Sequence, residues 1–218
     1  MTRSARAAPP RGASAPGSAV PLADDPTSRR HWIFDMDGTL TVAVHDFDAM
    51  RDALDLPPGR PILEALAALG RTDPEAARER REALDRMELE MAHGSREQPG
   101  ARDLLERLLA RGARVAILTR NGRRIADATL AAAGLADLFE PEFVLGRECA
   151  APKPDPAGVE LLLARWGARA DDALMVGDGR FDLEAAAAAG CATVHLDATG
   201  GETWPEITTL RVSSLAAL

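Results

Sequence analysis

Residues 31–41 read HWIFDMDGTLT, and this stretch decides the fold. It opens with His31–Phe34, an apolar run of strand length, and Asp35, Asp37 and Gly38 follow where such a strand would turn. Aspartate and glycine are ordinary turn residues, so the paired carboxylates alone are weak evidence for a site. The stretch predicts a buried strand that ends in a turn carrying two acidic side chains.

Four further apolar runs of strand length follow and alternate with helix-like stretches rich in Ala and Leu. They are Val115–Leu118, Glu142–Leu145, Ala173–Val176 and Ala192–Leu196. Five strands that alternate with helices favour a parallel sheet covered by helices on both faces. We therefore predict an α/β fold with a doubly wound, Rossmann-like parallel sheet.

The segment between the first and second predicted strands breaks this alternation. Residues 46–98 contain helix-like stretches and no strand pattern. The stretches are Asp46–Leu56, Pro61–Gly70 and Pro74–His93. Because this segment is too long for a simple strand-to-helix connection, we predict a small α-helical cap at 46–98. The core domain would then comprise residues 31–45 and 99–218.

The beginning of the chain has a different composition. Residues 1–30 are rich in Ala, Pro, Arg, Ser and Gly and show neither a helical nor a strand period, which predicts a disordered tail. Recurrent arginine and serine, with Asp24 as the first acidic residue, leave a transit peptide as an alternative.

Charge and cysteine content limit the classes of partner. With 26 basic and 34 acidic residues the net charge is −8, which disfavours nucleic acid and makes a cation cofactor attractive for any phosphorylated ligand. Cys149 and Cys191 form neither a disulfide framework nor a zinc motif, which fits a reduced cytoplasmic compartment. The apolar stretches are shorter than the roughly 18 residues of a spanning helix, so we predict no membrane segment.

Polar residues follow three of the later strands, at the carboxyl ends where open α/β sheets bind ligands. Thr119–Gly122 offers a hydroxyl and turn amides to phosphate oxygens. Lys153 stands between prolines before a helix, and Gly177–Asp182 adds the carboxylates of Asp178 and Asp182, which suit a hard cation such as Mg²⁺. Each turn alone is also explained by ordinary capping and turn chemistry.

Together, the order and positions of these four turns resemble the four motifs of the haloacid dehalogenase superfamily, over residues 31–218. The helical segment after the first motif is similar to the cap of the phosphoglycolate phosphatase-like branch. The resemblance implies a Mg²⁺-dependent phosphatase that hydrolyses a small phosphorylated metabolite, a phosphate monoester, through an aspartyl phosphate.

The resemblance also implies catalytic roles. Asp35 would attack phosphorus and become the aspartyl phosphate. Asp37 would act as the general acid for the leaving oxygen and then as the base for water. Thr119 would hydrogen-bond the transferred group, and Lys153 would neutralise it and orient Asp35.

A metal site and substrate contacts are implied in the same way. Mg²⁺ would bind Asp35, Asp178 and the backbone carbonyl of Asp37, with Asp182 in the outer shell. The residues expected to bind phosphate or substrate are Gly38, Thr39 and Asn121. Because neighbouring carboxylates repel one another unless a divalent cation lies between them, we expect activity to require Mg²⁺.

The second motif departs from the common pattern. Many relatives have Asn directly after Thr, whereas here Arg120 stands between Thr119 and Asn121. Arg120 or Arg123 could reach a carboxylate or second phosphate of the substrate, but a surface position is the simpler interpretation for both.

Several other functions share parts of this pattern. A phospho-accepting receiver domain also combines Asp, Thr and Lys on a doubly wound sheet, but it has neither a helical insert after its first strand nor the late Gly177–Asp182 turn. A non-catalytic binding domain is disfavoured because every catalytic residue type is present. Asp37 disfavours a dehalogenase, since cleavage of a carbon–halogen bond needs no acid, whereas a phosphomutase stays open.

Overall fold

The structure is a computed structural model that describes residues 25–43 and 46–218. Residues 1–24 of the predicted tail, and residues 44 and 45 of the predicted core, lie outside this range. Arg30, the last residue of the predicted tail, makes backbone hydrogen bonds with the core. The Arg30 amide donates to the carbonyl of Asp172 at 3.2 Å, and the Arg114 amide donates to the carbonyl of Arg30 at 2.8 Å.

A sheet of six strands forms the centre of the molecule, and every neighbouring pair is parallel. The strands are β1 (His31–Phe34), β2 (Arg114–Leu118), β3 (Val144–Leu145), β4 (Ala173–Gly177), β5 (Ala192–Leu196) and β6 (Leu210–Val212). Their order is β3-β2-β1-β4-β5-β6, which confirms the doubly wound prediction. Because the order reverses at β1, a crevice forms above the carboxyl ends of β1, β2 and β4.

Two details of the strand prediction are wrong. β6 was not predicted, because its three residues are all partly or fully exposed and form no apolar run; it is held by pairing with β5. The run Glu142–Leu145 is too long, because Pro141–Phe143 forms a 3-10 turn and only Val144 and Leu145 pair with β2.

Three helices follow β1, in the segment that we call the insert (residues 46–98). They are α1 (Phe47–Ala53), α2 (Ile62–Leu69) and α3 (Pro74–Ala92). The side chains of Asp46 and Asp73 cap α1 and α3 by accepting backbone N–H groups, each at 3.0 Å. The insert has its own hydrophobic cluster, which includes Met50, Leu54, Ile62, Leu66 and Leu84. It also packs on the core, where α3 contacts the later helix α5 (Arg123–Ala133).

The remaining core helices are α4 (Ala101–Ala110), α6 (Ala157–Trp166) and α7 (Arg180–Ala188). Side chains of β1 alternate between two buried clusters: Trp32 and Phe34 pack with α4 and α5, and Ile33 packs with α6 and α7. Burial on both faces explains why the strands read as continuous apolar runs. Within the described ranges, no helix has both the length and the apolar character needed to cross a membrane.

Candidate active site

Asp35 is the first residue after β1, at the centre of the crevice. Its backbone amide donates to the carbonyl of Val176 at 2.9 Å, which continues the pairing of β1 with β4. Its carboxylate Oδ1 lies 2.6 Å from the ammonium Nζ of Lys153. The fold therefore fixes both the backbone and the side chain of the predicted nucleophile.

Lys153 is the buried cation of the site. It lies in the loop before α6, with 2% of its side chain exposed, and its Nζ is also 2.6 Å from Oδ1 of Asp182. The second oxygen of Asp182 accepts the backbone N–H of Gly179 at 3.0 Å. Burial alone would lower the pKa of Lys153, but the charges of Asp182 and Asp35 raise it above its ordinary value. Lys153 is thus held as a cation between two carboxylates.

Asp178 completes an acidic group with Asp35 and Asp182, in which one oxygen of each lies within 4.8 Å of the others. Thr39 donates its hydroxyl to Oδ1 of Asp178 at 3.2 Å. Gly38 has a φ of +83°, and a Cβ atom on it would collide with the Asp178 carboxylate, so the turn requires glycine. Burial, and then the charges of Asp35 and Asp182, raises the pKa of Asp178 to about 7.

The acidic group fits a hard divalent cation. Its donors are carboxylate oxygens, the ligands that Mg²⁺ prefers. Bringing Mg²⁺ to this point would relieve the repulsion that raises the Asp178 pKa. Both oxygens of Asp182 already have partners in the protein, Lys153 and Gly179, which favours Asp35 and Asp178 as the direct carboxylate ligands.

Asp37 lies apart from this acidic group and is held by the turn after β2. The Asn121 amide Nδ2 donates to its Oδ2 at 2.7 Å, and the backbone N–H of Asn121 donates to the Thr119 hydroxyl at 3.1 Å. Burial, and then the nearby Asp35 charge, raises the pKa of Asp37 to about 7, while the Asn121 hydrogen bond opposes the rise. A carboxyl that titrates near neutrality is suited to both giving and accepting a proton.

These residues line one side of a cavity of about 580 Å³. We call that side the core wall: Asp35, Asp37, Thr119, Arg120, Asn121, Lys153, Asp178, Gly179, Arg180, Phe181 and Asp182. The other side, the insert wall, consists of Phe47, Asp48, Arg51, Gly59, Arg60, Pro61, Ile62, Leu63, Leu84 and Glu88. Every catalytic and metal-binding candidate from the sequence therefore faces one cavity. Gly38 and Thr39 lie beneath it, against Asp178.

Arg120 lines the cavity, so its interpretation as a surface residue is wrong. Its guanidinium donates to both oxygens of Glu64, on α2, at 2.7 Å each, and its side chain is 21% exposed. It also donates to the carbonyl of Lys153 and stands 4.7 Å from the centre of the Phe181 ring. Arg123 instead pairs with Asp127 outside the cavity wall.

A second ion pair between core and insert was also missed from the sequence. Arg147, after β3, binds Glu88 at 3.0 Å and Asp85, both on α3. The side chains of Arg147 and Glu88 are 8% and 9% exposed. The two acids are three residues apart and share one side of the helix, but no motif identifies their partner.

Comparison with known proteins gives a consistent family. The chain matches the family model of haloacid dehalogenase-like hydrolases over residues 30–190, a range that contains every cavity-lining residue. It is 37% identical over 192 residues to a phosphoglycolate phosphatase of Rhodospirillum rubrum, covering 74% of this chain and 77% of that protein. A phosphoglycolate phosphatase of Pseudomonas syringae pv. syringae is 32% identical over 185 residues, 75% of this chain and 68% of that protein. A solved hydrolase from Pseudomonas syringae superposes with a TM-score of 0.68 at 25% identity, covering 86% of this chain and 94% of that one.

Proposed function

This chain belongs to the haloacid dehalogenase-like hydrolase family, and we propose that it is a Mg²⁺-dependent phosphatase that hydrolyses a small phosphate monoester through an aspartyl phosphate on Asp35. The family membership confirms the resemblance seen in the sequence, and the enzyme class is that of a phosphoric monoester hydrolase. One observation carries the proposed mechanism: the Asp35 carboxylate is held by a buried lysine, beside Asp178 and within the same cavity as Asp37.

In the first step, an oxygen of Asp35 attacks phosphorus and the bond from phosphorus to the leaving oxygen breaks. Asp37 gives its proton to that oxygen, so that an alcohol leaves instead of an alkoxide. The raised pKa of Asp37, about 7, keeps a useful fraction of the carboxyl protonated near neutrality. Thr119 and Lys153 line the same wall and would hydrogen-bond the phosphoryl oxygens.

In the second step, water attacks the phosphorus of the aspartyl phosphate. Asp37, now ionised, takes the proton from that water, and the bond between phosphorus and Asp35 breaks to release inorganic phosphate. The Asn121 amide keeps the Asp37 carboxylate in one orientation through both steps. Because Lys153 stays between Asp35 and Asp182, the nucleophile returns to its starting contact.

The metal in this proposal is Mg²⁺, held by Asp35, Asp178 and the backbone carbonyl of Asp37, with Asp182 as an outer neighbour. When bound, it would neutralise phosphoryl charge and orient the phosphate for in-line attack. The chain's own contribution is the arrangement of its carboxylates: Thr39 fixes Asp178, and Gly38 leaves room for it.

The size of the cavity limits the substrate. A volume of about 580 Å³ is typical of a site for a small molecule. The insert wall covers the carboxylates, so a phosphate on a folded protein should be a poor substrate. Because the similar proteins from Rhodospirillum rubrum and Pseudomonas syringae are named phosphoglycolate phosphatases, 2-phosphoglycolate is the first ester to assay. A cytoplasmic location stays a prediction.

The proposal is tested by phosphate release from a panel of small esters. We expect turnover with Mg²⁺, loss of turnover after removal of metal with EDTA, and recovery when Mg²⁺ is restored. Asp178→Asn should raise the Mg²⁺ concentration needed for activity. Turnover that survives complete removal of divalent metal would refute the metal requirement, and a folded phosphoprotein hydrolysed as fast as the best small ester would refute the substrate class.

A further inference from the structure

Arg120 is a cavity-lining cation of the core that pairs with an acidic side chain of the insert, Glu64. It belongs to the turn after β2, between Thr119 and Asn121, and its neighbour Asn121 holds Asp37. Arg120 also donates to the carbonyl of Lys153, whose ammonium lies 2.6 Å from Asp35. Arg120 is therefore linked to the nucleophile through Lys153 and adjoins the residue that holds the proton donor, and it lines the same cavity as Asp35.

The site at Arg120 already accommodates a carboxylate. Both oxygens of Glu64 accept from the Arg120 Nη2 atom at 2.7 Å. The Phe181 ring supports the guanidinium at 4.7 Å from the ring centre, which limits the orientations available to it. A planar guanidinium matches a carboxylate well because its N–H groups are fixed in one plane.

Glu64 differs from the other acid that links the insert to the core. Its side chain is 38% exposed and its partner Arg120 is 21% exposed. Glu88 and Arg147, in contrast, are 9% and 8% exposed. Ion pairs as exposed as the first contribute little net free energy, because water can replace either partner, whereas breaking a buried pair is costly. Glu64 can therefore leave Arg120 while Arg147 keeps α3 attached to the core.

From these contacts we propose that Arg120 determines the choice of leaving group by binding a carboxylate on the substrate, and that Glu64 of the insert occupies Arg120 until the substrate replaces it. The inference rests on the proposed phosphatase function and adds a specificity residue to it. In the free enzyme the Glu64 carboxylate neutralises Arg120. In the complex the substrate carboxylate takes that position, and Glu64 turns to solvent at the exposed side of the pair.

The test compares 2-phosphoglycolate with its amide, glycolamide phosphate, which has nearly the same shape and keeps the phosphate but lacks the carboxylate charge. For each ester, kcat/KM is measured with the wild type, Arg120→Gln and Glu64→Gln. Arg124→Gln is the control, since Arg124 is an exposed arginine of the same segment that does not line the cavity. Arg120→Gln should reduce the preference for the carboxylate ester by about 10- to 100-fold. Glu64→Gln should lower KM for the carboxylate ester and should not lower KM for the amide ester.

Several outcomes would overturn the inference while the phosphatase function stands: equal losses on both esters with Arg120→Gln, no change on either ester, or the same change in preference with Arg124→Gln. Absence of turnover on every ester would refute the proposed function instead. In that case, calorimetric affinities of the two esters for wild type and Arg120→Gln give the same comparison. If Arg120→Gln does not fold, Arg120→Lys keeps the charge, lacks the planar fork and should reduce the preference in part.

Discussion

The core wall and the insert wall face the same cavity but are built differently. Lys153 and Thr119 of the core wall are 2% and 4% exposed. Lys153 pairs with two of the carboxylates of this wall, and Asn121 donates a hydrogen bond to a third. The insert wall is mixed: Phe47 is 58% exposed, whereas Ile62 and Leu84 are buried in the insert's own cluster. A rigid, buried arrangement suits groups that must keep one geometry through the reaction, and an exposed side chain such as Phe47 can adapt to different leaving groups. Apart from Arg120, whose proposed role is in substrate choice, changes in the core wall should therefore affect the chemical step and stability, and changes in the insert wall should affect substrate affinity.

The largest expected effect is that of Asp35→Asn, which removes the attacking carboxylate. Turnover should fall below detection with every ester, because an amide cannot form the aspartyl phosphate. Asp127→Asn is the matched control, since it makes the same change at an acid that pairs with Arg123 outside the cavity. Steady-state assays of both variants, with circular dichroism to verify folding, make the comparison. Appreciable residual activity in Asp35→Asn would show that another group is the nucleophile.

Lys153→Met should have the largest effect on stability. It leaves the buried Asp182 without its cation and the Asp35 carboxylate without its partner. Breaking a buried pair in this way costs about 3–5 kcal/mol in the free energy of unfolding. Urea denaturation measures the loss, and Arg169→Met, which disrupts an exposed pair with Asp171, should leave the midpoint unchanged. Equal losses in the two variants would contradict the prediction that the buried ion pairs of Lys153 stabilise the fold more than an exposed pair does.

A smaller effect on stability should depend on pH and metal. The raised pKa of Asp178, about 7, means that the metal-free folded state binds more protons than the unfolded state between about pH 4 and 7. This group therefore makes the metal-free protein less stable as pH rises through that window. Thermal melts of metal-free protein at pH 8 should show Asp178→Asn more stable than wild type by at least about 2–4 °C, the shift that 1 kcal/mol produces in a chain of this size.

Mg²⁺ should reverse that order at pH 8, because it binds the ionised carboxylates of the folded wild type and loses a ligand in the variant. At pH 5 both the difference between the proteins and the effect of Mg²⁺ should shrink, since the carboxyl is protonated in the folded state. The same melting point for wild type and Asp178→Asn at both pH values, with and without Mg²⁺, would contradict the assignment of Asp178 to the metal.

The smallest expected effect belongs to the insert wall. Phe47→Ala removes an aromatic ring that is more exposed than buried, so only part of the roughly 1.5–3 kcal/mol of a fully buried side chain is at stake. KM should rise by less than about tenfold while kcat is retained. Steady-state kinetics with 2-phosphoglycolate measures both constants. A large fall in kcat without a change in KM would place Phe47 in the chemical step and remove the distinction between the walls.

The sequence predicts the core wall better than the insert wall for a physical reason. The carboxyl ends of parallel strands converge, so Asp35, Thr119 and Asp178 could be brought together from their positions after β1, β2 and β4. Not all contacts of these residues could be predicted from the sequence. The resemblance implied that Lys153 orients Asp35, but the second contact of Lys153, with Asp182, depends on the path of a loop, which no periodicity describes.

The insert wall depends on how separate helices pack, which local sequence does not determine. Helix-like stretches predicted α1, α2 and α3, but nothing in them indicated that Glu64 meets Arg120 or that Glu88 meets Arg147. β6 was missed for a related reason, because it is held by pairing with β5 and has no apolar run of its own.

The covalent role of Asp35 is the central claim, and Asp37→Asn is the variant that tests it most directly. Without its proton donor and base, this variant should lose about 10²–10⁴-fold in turnover of alkyl esters. The loss should be smaller with aryl esters, because an aryl oxide can leave without first being protonated. Hydrolysis of the aspartyl phosphate is slowed as well, so a good aryl ester should make the intermediate accumulate. Mass spectrometry of the quenched Asp37→Asn protein should then find a phosphoryl group on the peptide that contains Asp35. Equal losses on alkyl and aryl esters, with no phosphoryl group on that peptide at any time, would contradict the account.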